Sequence, residues 1–356
     1  MRVCSVDKVP ENAVLAKDIY DAKGVFLLKR DSRLLQGVLQ KLKNNGVFFV
    51  CIEDDISEGI EFESVIDDES KARIIFAFKE IVEEKTGEGK GGGPIFKNVR
   101  KIEGLVDELL TEISRKNDLS YMAVELMGTD MSTYFHSVNT AIISLLMATD
   151  LKMSRTMCRD IGLGAILHDI GKTRIDSRIL NKVERFSEEE WIEMKSHVDC
   201  GYGLIKALTA MNGIVKSIVL KHHEKLDGSG YPNGITAEAI PEYVRIVTVA
   251  DMFDAMTSDR IYRRRMPIHV ALEHLMTECV TKIDKNIYQC LTRKVIFFPP
   301  GTIVHLNEGS RAIVTEYNDA APTRPKIRII KSVNYEAGTE IDLMHRLTLL
   351  IESAEI

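Results

Sequence analysis

Histidines and acids with the chemistry of metal ligands concentrate in the middle of the chain. Between Tyr134 and Arg263 stand five of its nine histidines, in the donor set His136, His168, Asp169, His197, His222, His223 and Asp251. Imidazole nitrogens and carboxylate oxygens are ligands for borderline divalent metals. Seven such donors exceed what one first-row ion normally needs. The sequence therefore predicts a site for more than one metal ion.

The donors lie in segments whose apolar spacing is typical of helices. These segments read AILHDIGKTRI, MKSHVDCGYGLI, LKHHEKLDGSGYP and VADMFDAMTSDRIYR. On a helix the adjacent His168 and Asp169 point about 100° apart, so His168 can bind one ion while Asp169 lies between two. A bridging carboxylate offsets the repulsion between two cations held roughly 3.5–4 Å apart. We expect Asp169 to be that bridge.

Two of these runs, HDIGK and HHEKLDGSGYP, resemble the signatures of the HD-GYP family of metal-dependent phosphodiesterases, over about residues 120 to 290. The resemblance implies that all seven donors are metal ligands. Some family members have a glutamate four residues before the first histidine to help hold a third ion, and this position is Ser132 here. We therefore expect two ions rather than three, in which case His223 need not be a direct ligand.

The identity of the metal is left open by the donor types. Histidine with carboxylate suits iron, manganese, zinc or nickel, and the resemblance implies iron or manganese. A histidine on an apolar helix face is more often a hydrogen-bonded core or surface residue, and we assign His269, His274, His305 and His345 to that class. Burial of the five clustered histidines without a cation would leave unpaired polar groups.

Lys172 and Asp169 are the predicted catalytic residues. Lys172 follows His168 by four residues, which on a helix places both on one face. Its ammonium would neutralise charge on the phosphoryl oxygens during attack by a metal-activated water. The resemblance likewise implies that Lys172 contacts the scissile phosphate. The alternative for Lys172 is a solvated surface lysine.

Arginines and a tyrosine are the further substrate-binding candidates. Arg260 and Arg263 stand three residues apart, and guanidinium groups suit phosphate or the acceptor edge of guanine. A surface ion pair with Asp259 or Glu273 is the alternative. Tyr231 would stack on a base or only pack its own loop.

The Tyr231 loop contains two glycines and a proline, and we expect it to form a wall of the site. Asp227 and Asp254 are candidates for carboxylates that orient the histidine ligands from behind. We also count Asp254 among the substrate contacts, with an ion pair to arginine as its alternative.

The GYP loop indicates the substrate. In the family it marks the members that hydrolyse cyclic dinucleotides, chiefly bis-(3′-5′)-cyclic dimeric guanosine monophosphate (cyclic di-GMP). The resemblance implies hydrolysis to linear pGpG, with further cleavage to GMP left open. The alternatives are a phosphodiesterase for another cyclic dinucleotide or an HD-type nucleotide phosphohydrolase, and an inactive receptor. A homodimer and a GGDEF-type signalling partner bound through the GYP loop are expected partners.

Composition restricts the partners and the location. The net charge of −6 argues against a surface for nucleic-acid polymers. Six cysteines without a C-x-x-C pair, and no secretory leader, favour the reducing cytoplasm. No apolar run approaches the roughly 20 residues that cross a bilayer. We expect a soluble cytoplasmic protein without a membrane partner.

The predicted fold is mainly α, an HD-type all-helical catalytic bundle between two smaller parts. The expected divisions are a small α+β regulatory module (1–65), a helical linker (66–118) with a flexible glycine-rich break (87–94), the bundle (119–292) and a β-rich antiparallel extension (293–356) of three or four strands. The predicted bundle helices are 122–127, 140–149, 159–167, 188–208, 213–222, 244–256 and 268–278.

Overall fold

The computed structural model is mainly α, which confirms the predicted fold class. It describes residues 1–11, 13–20, 26–44, 47, 49–61, 65–66, 68–83, 95–115, 132–180, 182, 184–206, 208, 211–258, 266–318 and 320–355. The predicted helix 122–127, the glycine-rich break 87–94 and both arginines Arg260 and Arg263 lie outside the described residues. Among the described residues, no helix combines the length and the apolar character needed to cross a membrane.

The helices account for most of the regular structure. They are α1 (Gln36–Asn44), α2 (Asp68–Glu83), α3 (Ile95–Arg115), α4 (Ser132–Asp150), α5 (Arg155–Leu167), α6 (Ser177–Leu180), α7 (Glu188–Lys195), α8 (His197–Lys206), α9 (Gly213–Lys221), α10 (Glu242–Thr257), α11 (Ile268–Glu278) and α12 (Lys285–Lys294). The central helix is α4, whose residues 135–148 are all buried. Helices α5 and α10 pack against it, as a helix that is apolar on most sides requires.

Two short sheets form the amino-terminal part. Their strands are β1 (Arg2–Ser5), β2 (Val14–Leu15), β3 (Ile19–Tyr20), β4 (Phe26–Leu28) and β5 (Phe49–Glu53). The order β1-β5-β2 is antiparallel, and β3 pairs with β4. This part has its own small core around Leu15, Val47 and Ile52.

Helices α2 and α3 belong to the core of the bundle. Ile74 and Ile75 of α2, and Val106 and Leu109 of α3, are buried in one cluster with α4, α5 and α10. We expected residues 66–118 to be a linker. The apolar stripes of α2 and α3 are instead covered by the bundle, because their burial removes apolar surface from water.

The carboxy-terminal part is one antiparallel sheet of five strands, one more than the upper number predicted. The strands are β6 (Ile303–Leu306), β7 (Arg311–Glu316), β8 (Lys326–Lys331), β9 (Glu340–Asp342) and β10 (Ile351–Ala354), in the order β10-β6-β7-β8-β9. The sheet also touches the amino-terminal part, since the Arg328 guanidinium donates to the Glu58 carbonyl oxygen at 2.8 Å.

Two helix predictions need correction. The predicted helix 188–208 is broken at Ser196, so that α7 ends before it and α8 begins at His197. Helix α12 was missed because its buried face has only Ile287, Cys290 and Leu291, and the remaining residues are polar. Its start is stabilised by Asp284, whose carboxylate accepts from two backbone N–H groups.

A 3-10 turn follows α5 and crosses α8 at very short range. It spans Ile170–Arg174, and a Cβ atom built on Gly171 would lie 2.5 Å from the Gly201 nitrogen and closer still to the His197 carbonyl oxygen. Backbone atoms at these distances leave no room for a side chain. Only glycine at position 171 allows His168 and Asp169 to approach the start of α8.

We predict that Gly171→Ala destabilises the protein by about 2–3 kcal/mol, because the added methyl group forces the 3-10 turn and α8 apart. The matched control is Gly104→Ala in α3, where an added Cβ meets nothing within 4 Å. That change should stabilise the fold by about 0.5–1 kcal/mol, because alanine favours a helix over glycine. Urea unfolding of both variants measures the difference. Equal stability of Gly171→Ala and the wild type would contradict this packing.

Candidate metal centre

The seven donors converge at the ends and inner faces of five helices. His136 lies in the second turn of α4, and Asp251 lies on the buried face of α10. The others stand where helices end or begin: His168 and Asp169 after α5, His197 at the start of α8, and His222 and His223 after α9. All are buried except His223, whose side chain is 23% exposed. Side chains at helix termini can therefore meet in one cavity.

The donor atoms form two groups. One comprises His136, His168 and Asp251, and the other comprises Asp169, His197, His222 and His223, with all ligand atoms of a group within 4.8 Å of one another. His136 Nε2 lies 2.9 Å from Asp251 Oδ1, and His197 Nε2 lies 3.5 Å from His222 Nε2. Ligands held about 2.1 Å from a common ion are separated by roughly 3.0–3.5 Å. The spacing within each group suits one ion.

The two oxygens of Asp169 face different groups. Oδ2 lies 3.3 Å from His168 Nε2 and 3.8 Å from His136 Nε2. Oδ1 lies 3.4 Å from His197 Nε2 and 3.9 Å from His222 Nε2. Asp169 therefore stands between the groups, in the position that a carboxylate bridging two cations requires.

Asp251 has a related but less symmetric placement. Its Oδ1 faces His136 and also lies 3.8 Å from His168 Nε2. Its Oδ2 lies 3.8 Å from Nδ1 of His223. The second acid thus lies beside His136 of one donor group and near His223 of the other.

The Nδ1 atoms of four histidines are held by hydrogen bonds. His168 Nδ1 and His197 Nδ1 each lie 2.7 Å from a carbonyl oxygen three residues earlier, and His222 Nδ1 lies 3.0 Å from the Val219 carbonyl oxygen. A carbonyl can only accept, so each Nδ1 carries the proton and the Nε2 lone pair points into the cavity. His136 has the Asp254 carboxylate 2.7 Å from its Nδ1. These contacts fix the tautomer that binds a metal.

Two buried atoms in the cavity have no hydrogen-bond partner among the described residues. They are His168 Nε2 and Asp169 Oδ1, one from each donor group. An unpaired buried polar atom destabilises the fold, and an unpaired buried carboxylate oxygen does so strongly. Coordination of a cation would satisfy both atoms. The residues present therefore fit a divalent-metal-binding cluster.

The protonation states also suit metal binding. Burial lowers the pKa of His197 and of His222, and it lowers the pKa of His223 to about 3. Burial opposes ionisation of Asp169, but Lys172 and His168 outweigh it and hold the pKa of that carboxyl well below its usual range. These groups are thus deprotonated at neutral pH, as ligands must be.

His136 behaves differently because two acids flank it. Burial opposes its charged form, yet hydrogen bonds with Asp251 and Asp254 raise the pKa of His136 to about 9. The pocket of His136 therefore favours a positive charge. A proton or a metal ion can supply that charge, and the Nε2 position next to Asp251 is the one that an ion would occupy.

Lys172 does not share an α-helix with His168, which corrects the geometry expected from the sequence. Helix α5 ends at Leu167, and Lys172 belongs to the 3-10 turn. Its Nζ pairs with Asp169 Oδ2 at 2.5 Å, and its side chain is 20% exposed. The lysine still reaches the cavity, because a 3-10 turn places residues i and i+3 on one side.

The Tyr231 loop packs over the second donor group. The Tyr231 ring stacks on the His223 ring, with centroids 4.7 Å apart. The backbone N–H of Tyr231 donates to the His223 carbonyl oxygen. A Cβ atom on Gly230 would lie 2.5 Å from that carbonyl oxygen, so only glycine fits there. The placement of Tyr231 agrees with the alternative in which it packs the loop.

Glu224 is a structural residue of this loop that sequence reasoning missed. It is 2% exposed, and its carboxylate accepts from the N–H groups of Asn233 and Ile235. A glutamate directly after two histidines and before a glycine-rich loop was the only signal for it. By holding the far end of the loop, Glu224 keeps Tyr231 against His223.

Asp227 and Asp254 have different roles. Asp227 is exposed, and among the described residues its carboxylate accepts hydrogen bonds only from the backbone N–H and the hydroxyl of Ser229. The prediction that Asp227 orients a histidine ligand is therefore wrong. Asp254 is 2% exposed and contacts His136, so it lies behind a ligand and not on a surface open to substrate. The assignment of Asp254 as a substrate contact is therefore wrong.

Comparisons with known protein families agree with this site. A family model described as "HD domain" matches residues 114–287, which include all seven donors. A model described as "KOW domain associated with HD domain" matches residues 303–355, the carboxy-terminal sheet.

Curated relatives and solved structures add further similarities. The chain is 30% identical over 228 residues to "Cyclic di-GMP phosphodiesterase PA4108" of Pseudomonas aeruginosa, covering 64% of this chain and 55% of that protein. It is 34% identical over 164 residues to "3'3'-cGAMP-specific phosphodiesterase 3" of Vibrio cholerae, covering 46% of this chain and 35% of that protein. The chain thus matches about half of the length of the first relative and about a third of the length of the second.

One solved structure shares the fold. It is described as Bd1817, an HDG"Y"P protein from Bdellovibrio bacteriovorus, and it aligns with a TM-score of 0.51 at 16% sequence identity. The alignment covers 81% of this chain and 97% of that chain.

We predict that Asp254→Asn lowers metal affinity about 10- to 100-fold, because the amide carries no charge to orient and polarise His136. Asp227→Asn is the matched control and should leave metal affinity within about twofold, since Asp227 contacts only Ser229 in the hydrogen bonds described. Calorimetric titration of chelator-treated protein with Mn²⁺ measures both affinities. Equal affinities of the two variants would show that Asp254 does not act through His136.

Proposed function

Because this chain belongs to the HD-GYP family of HD-domain proteins, we propose that it is a metal-dependent phosphodiesterase that hydrolyses cyclic di-GMP to linear pGpG. The placement of the Asp169 carboxylate carries this proposal. One buried carboxylate faces two separate groups of donors. Such an arrangement is typical of sites that cleave phosphoesters with two cations.

We infer that the cluster holds two divalent ions, iron or manganese. His136, His168 and Asp251 would hold one ion, His197, His222 and His223 the other, and Asp169 would bridge them. The inclusion of His223 is favoured by its place in the second donor group. When bound, the two ions supply a water of lowered pKa as the nucleophile and positive charge beside the phosphoryl oxygens.

The protein's own residues position the substrate phosphate. Lys172 is partly exposed next to Asp169, so its ammonium can donate to a phosphoryl oxygen while it stays paired with the carboxylate. Lysine has three N–H donors, which makes both contacts compatible. Asp254 and the backbone carbonyls keep the histidine rings in place as charge develops. This preorganisation avoids rearrangement of polar groups during the reaction.

We assign base recognition to Arg260, Arg263 and Tyr231, of which Tyr231 belongs to the described residues. We propose that Arg260 and Arg263 bind phosphate or the guanine edge, since their guanidinium groups present paired donors. Tyr231 is partly exposed and would border the substrate beside His223. A homodimer and a GGDEF-type partner of the GYP loop remain predictions from the family resemblance.

A different cyclic dinucleotide is the second candidate substrate. This alternative is favoured by the similarity to a relative named as specific for 3′3′-cGAMP. The rate constants for cyclic di-GMP, 3′3′-cGAMP and cyclic di-AMP, measured side by side, separate the two candidates. An inactive receptor is disfavoured because all seven donors are present and because Asp169, His197 and His222 are deprotonated at neutral pH.

We predict that Asp169→Asn lowers the turnover of cyclic di-GMP by more than about 100-fold, because a neutral amide cannot bridge two cations. His168→Ala should do the same. His305→Ala is the control, since His305 pairs with Glu355 on the carboxy-terminal sheet. Product chromatography with and without a chelator measures the rates. Full turnover in the presence of the chelator would rule out the proposed metal dependence.

We predict that Lys172→Met lowers kcat about 100-fold with a smaller change in KM, because the lysine would stabilise charge that develops in the transition state. The control Lys206→Met changes an exposed lysine at the end of α8 and should keep the wild-type kcat. Metal content is measured in each preparation. A change confined to KM would indicate that Lys172 only binds the ground state of the substrate.

A further inference from the structure

A cavity of about 150 Å³ adjoins the metal centre on the side of Lys172. Its walls include Phe78, Val82, Tyr134, Asp169, Lys172 and Leu180. Because Asp169 and Lys172 line it, a ligand in this cavity touches the groups that would act on the phosphate. The cavity is therefore continuous with the candidate active site.

The cavity has a charged end and apolar walls. The charges belong to Asp169 and Lys172, whereas Phe78, Val82 and Leu180 contribute hydrocarbon surface. The Phe78 and Tyr134 rings meet edge to face with centroids 6.0 Å apart. A ligand that matches this surface has a flat body with apolar faces and, beside the N–H donors of the Lys172 ammonium, an acceptor such as a phosphoryl oxygen. A nucleotide has this form.

The cavity is large enough for only part of a cyclic dinucleotide. Pockets that bury a whole drug-sized ligand have volumes of roughly 300–1,000 Å³. A cavity of about 150 Å³ is too small for both nucleosides and large enough for one base. The rest of the ligand would extend over the metal centre.

One wall comes from outside the HD domain. Phe78 and Val82 belong to α2 (Asp68–Glu83), whereas the HD domain match begins at residue 114. Helix α2 is held in place by Ile74 and Ile75, which are buried in the bundle core. On its outer side Arg73 pairs with Glu108 of α3. These contacts fix α2 at the edge of the site.

We propose that this cavity binds the purine base of one nucleoside of the cyclic dinucleotide, and that α2 thereby determines substrate specificity from outside the HD domain. The inference rests on the proposed phosphodiesterase function and names a subsite of that same centre. Phe78 and Val82 would exclude water from the base, and Lys172 would hold the adjacent phosphate. Val65 and Ile66, just before α2, are buried in the same core, so the position of α2 is coupled to the amino-terminal part.

The test fills the cavity from each side. Val82→Trp adds bulk from α2, and Leu180→Trp adds bulk from α6. Val333→Trp is the control, since Val333 is 94% exposed on the carboxy-terminal part. Steady-state kinetics are measured with cyclic di-GMP and with methyl 4-nitrophenyl phosphate, a diester that has a methyl group in place of a nucleoside and an aryl leaving group. Metal content and thermal unfolding verify that each variant is folded.

We expect each cavity-filling variant to raise KM for cyclic di-GMP at least tenfold. The ratio of kcat/KM for cyclic di-GMP to kcat/KM for the small diester should fall by the same factor, and Val333→Trp should retain the wild-type ratio. Folded variants whose ratio matches that of the wild type would overturn the nucleoside subsite while leaving the phosphodiesterase proposal intact. If the wild type cleaves the small diester but no cyclic dinucleotide, the proposed function fails and the subsite fails with it.

Discussion

The buried Asp169 carboxylate imposes the constraint on which the rest of the centre depends. A carboxylate is expensive to bury unless positive charge surrounds it. Here Lys172 contacts one oxygen, and histidines from α4, α5, α8 and α9 face the two oxygens from different sides. Cations would provide partners for His168 Nε2 and Asp169 Oδ1, which have none among the described residues. Metal binding to the folded bundle would therefore stabilise it.

Helix ends, rather than helix faces, build most of this centre. His168 and His222 directly follow their helices, and each bonds through Nδ1 to a carbonyl of its last turn, one of the groups that a helix terminus leaves unpaired. The same hydrogen bonds satisfy the helix ends and orient the rings. The close contact of Gly171 with α8 then brings Asp169 to His197. Backbone packing and ligand geometry are thus two consequences of the same contacts.

The surroundings of the centre extend beyond the HD domain. Helix α2 borders the cavity beside Lys172, and the segment before it is buried in the bundle core. The amino-terminal part also contacts the carboxy-terminal sheet through Arg328 and the Glu58 carbonyl. The chain thus passes from the amino-terminal part into the helix that lines the catalytic cavity through residues packed in the bundle core.

The amino-acid types and their local spacing determined the donor set and the mainly α character of this protein, because both are local properties of the chain. The runs HDIGK and HHEKLDGSGYP are contiguous, and α9, α10 and α11 are rich in apolar residues. Contacts between distant residues decided the remainder. The pairing of Lys172 with Asp169 in a 3-10 turn, the position of Asp254 behind His136 and the role of α2 as a cavity wall all depend on helices that meet only after folding. Periodicity tells which face of a helix is buried, but not against which partner.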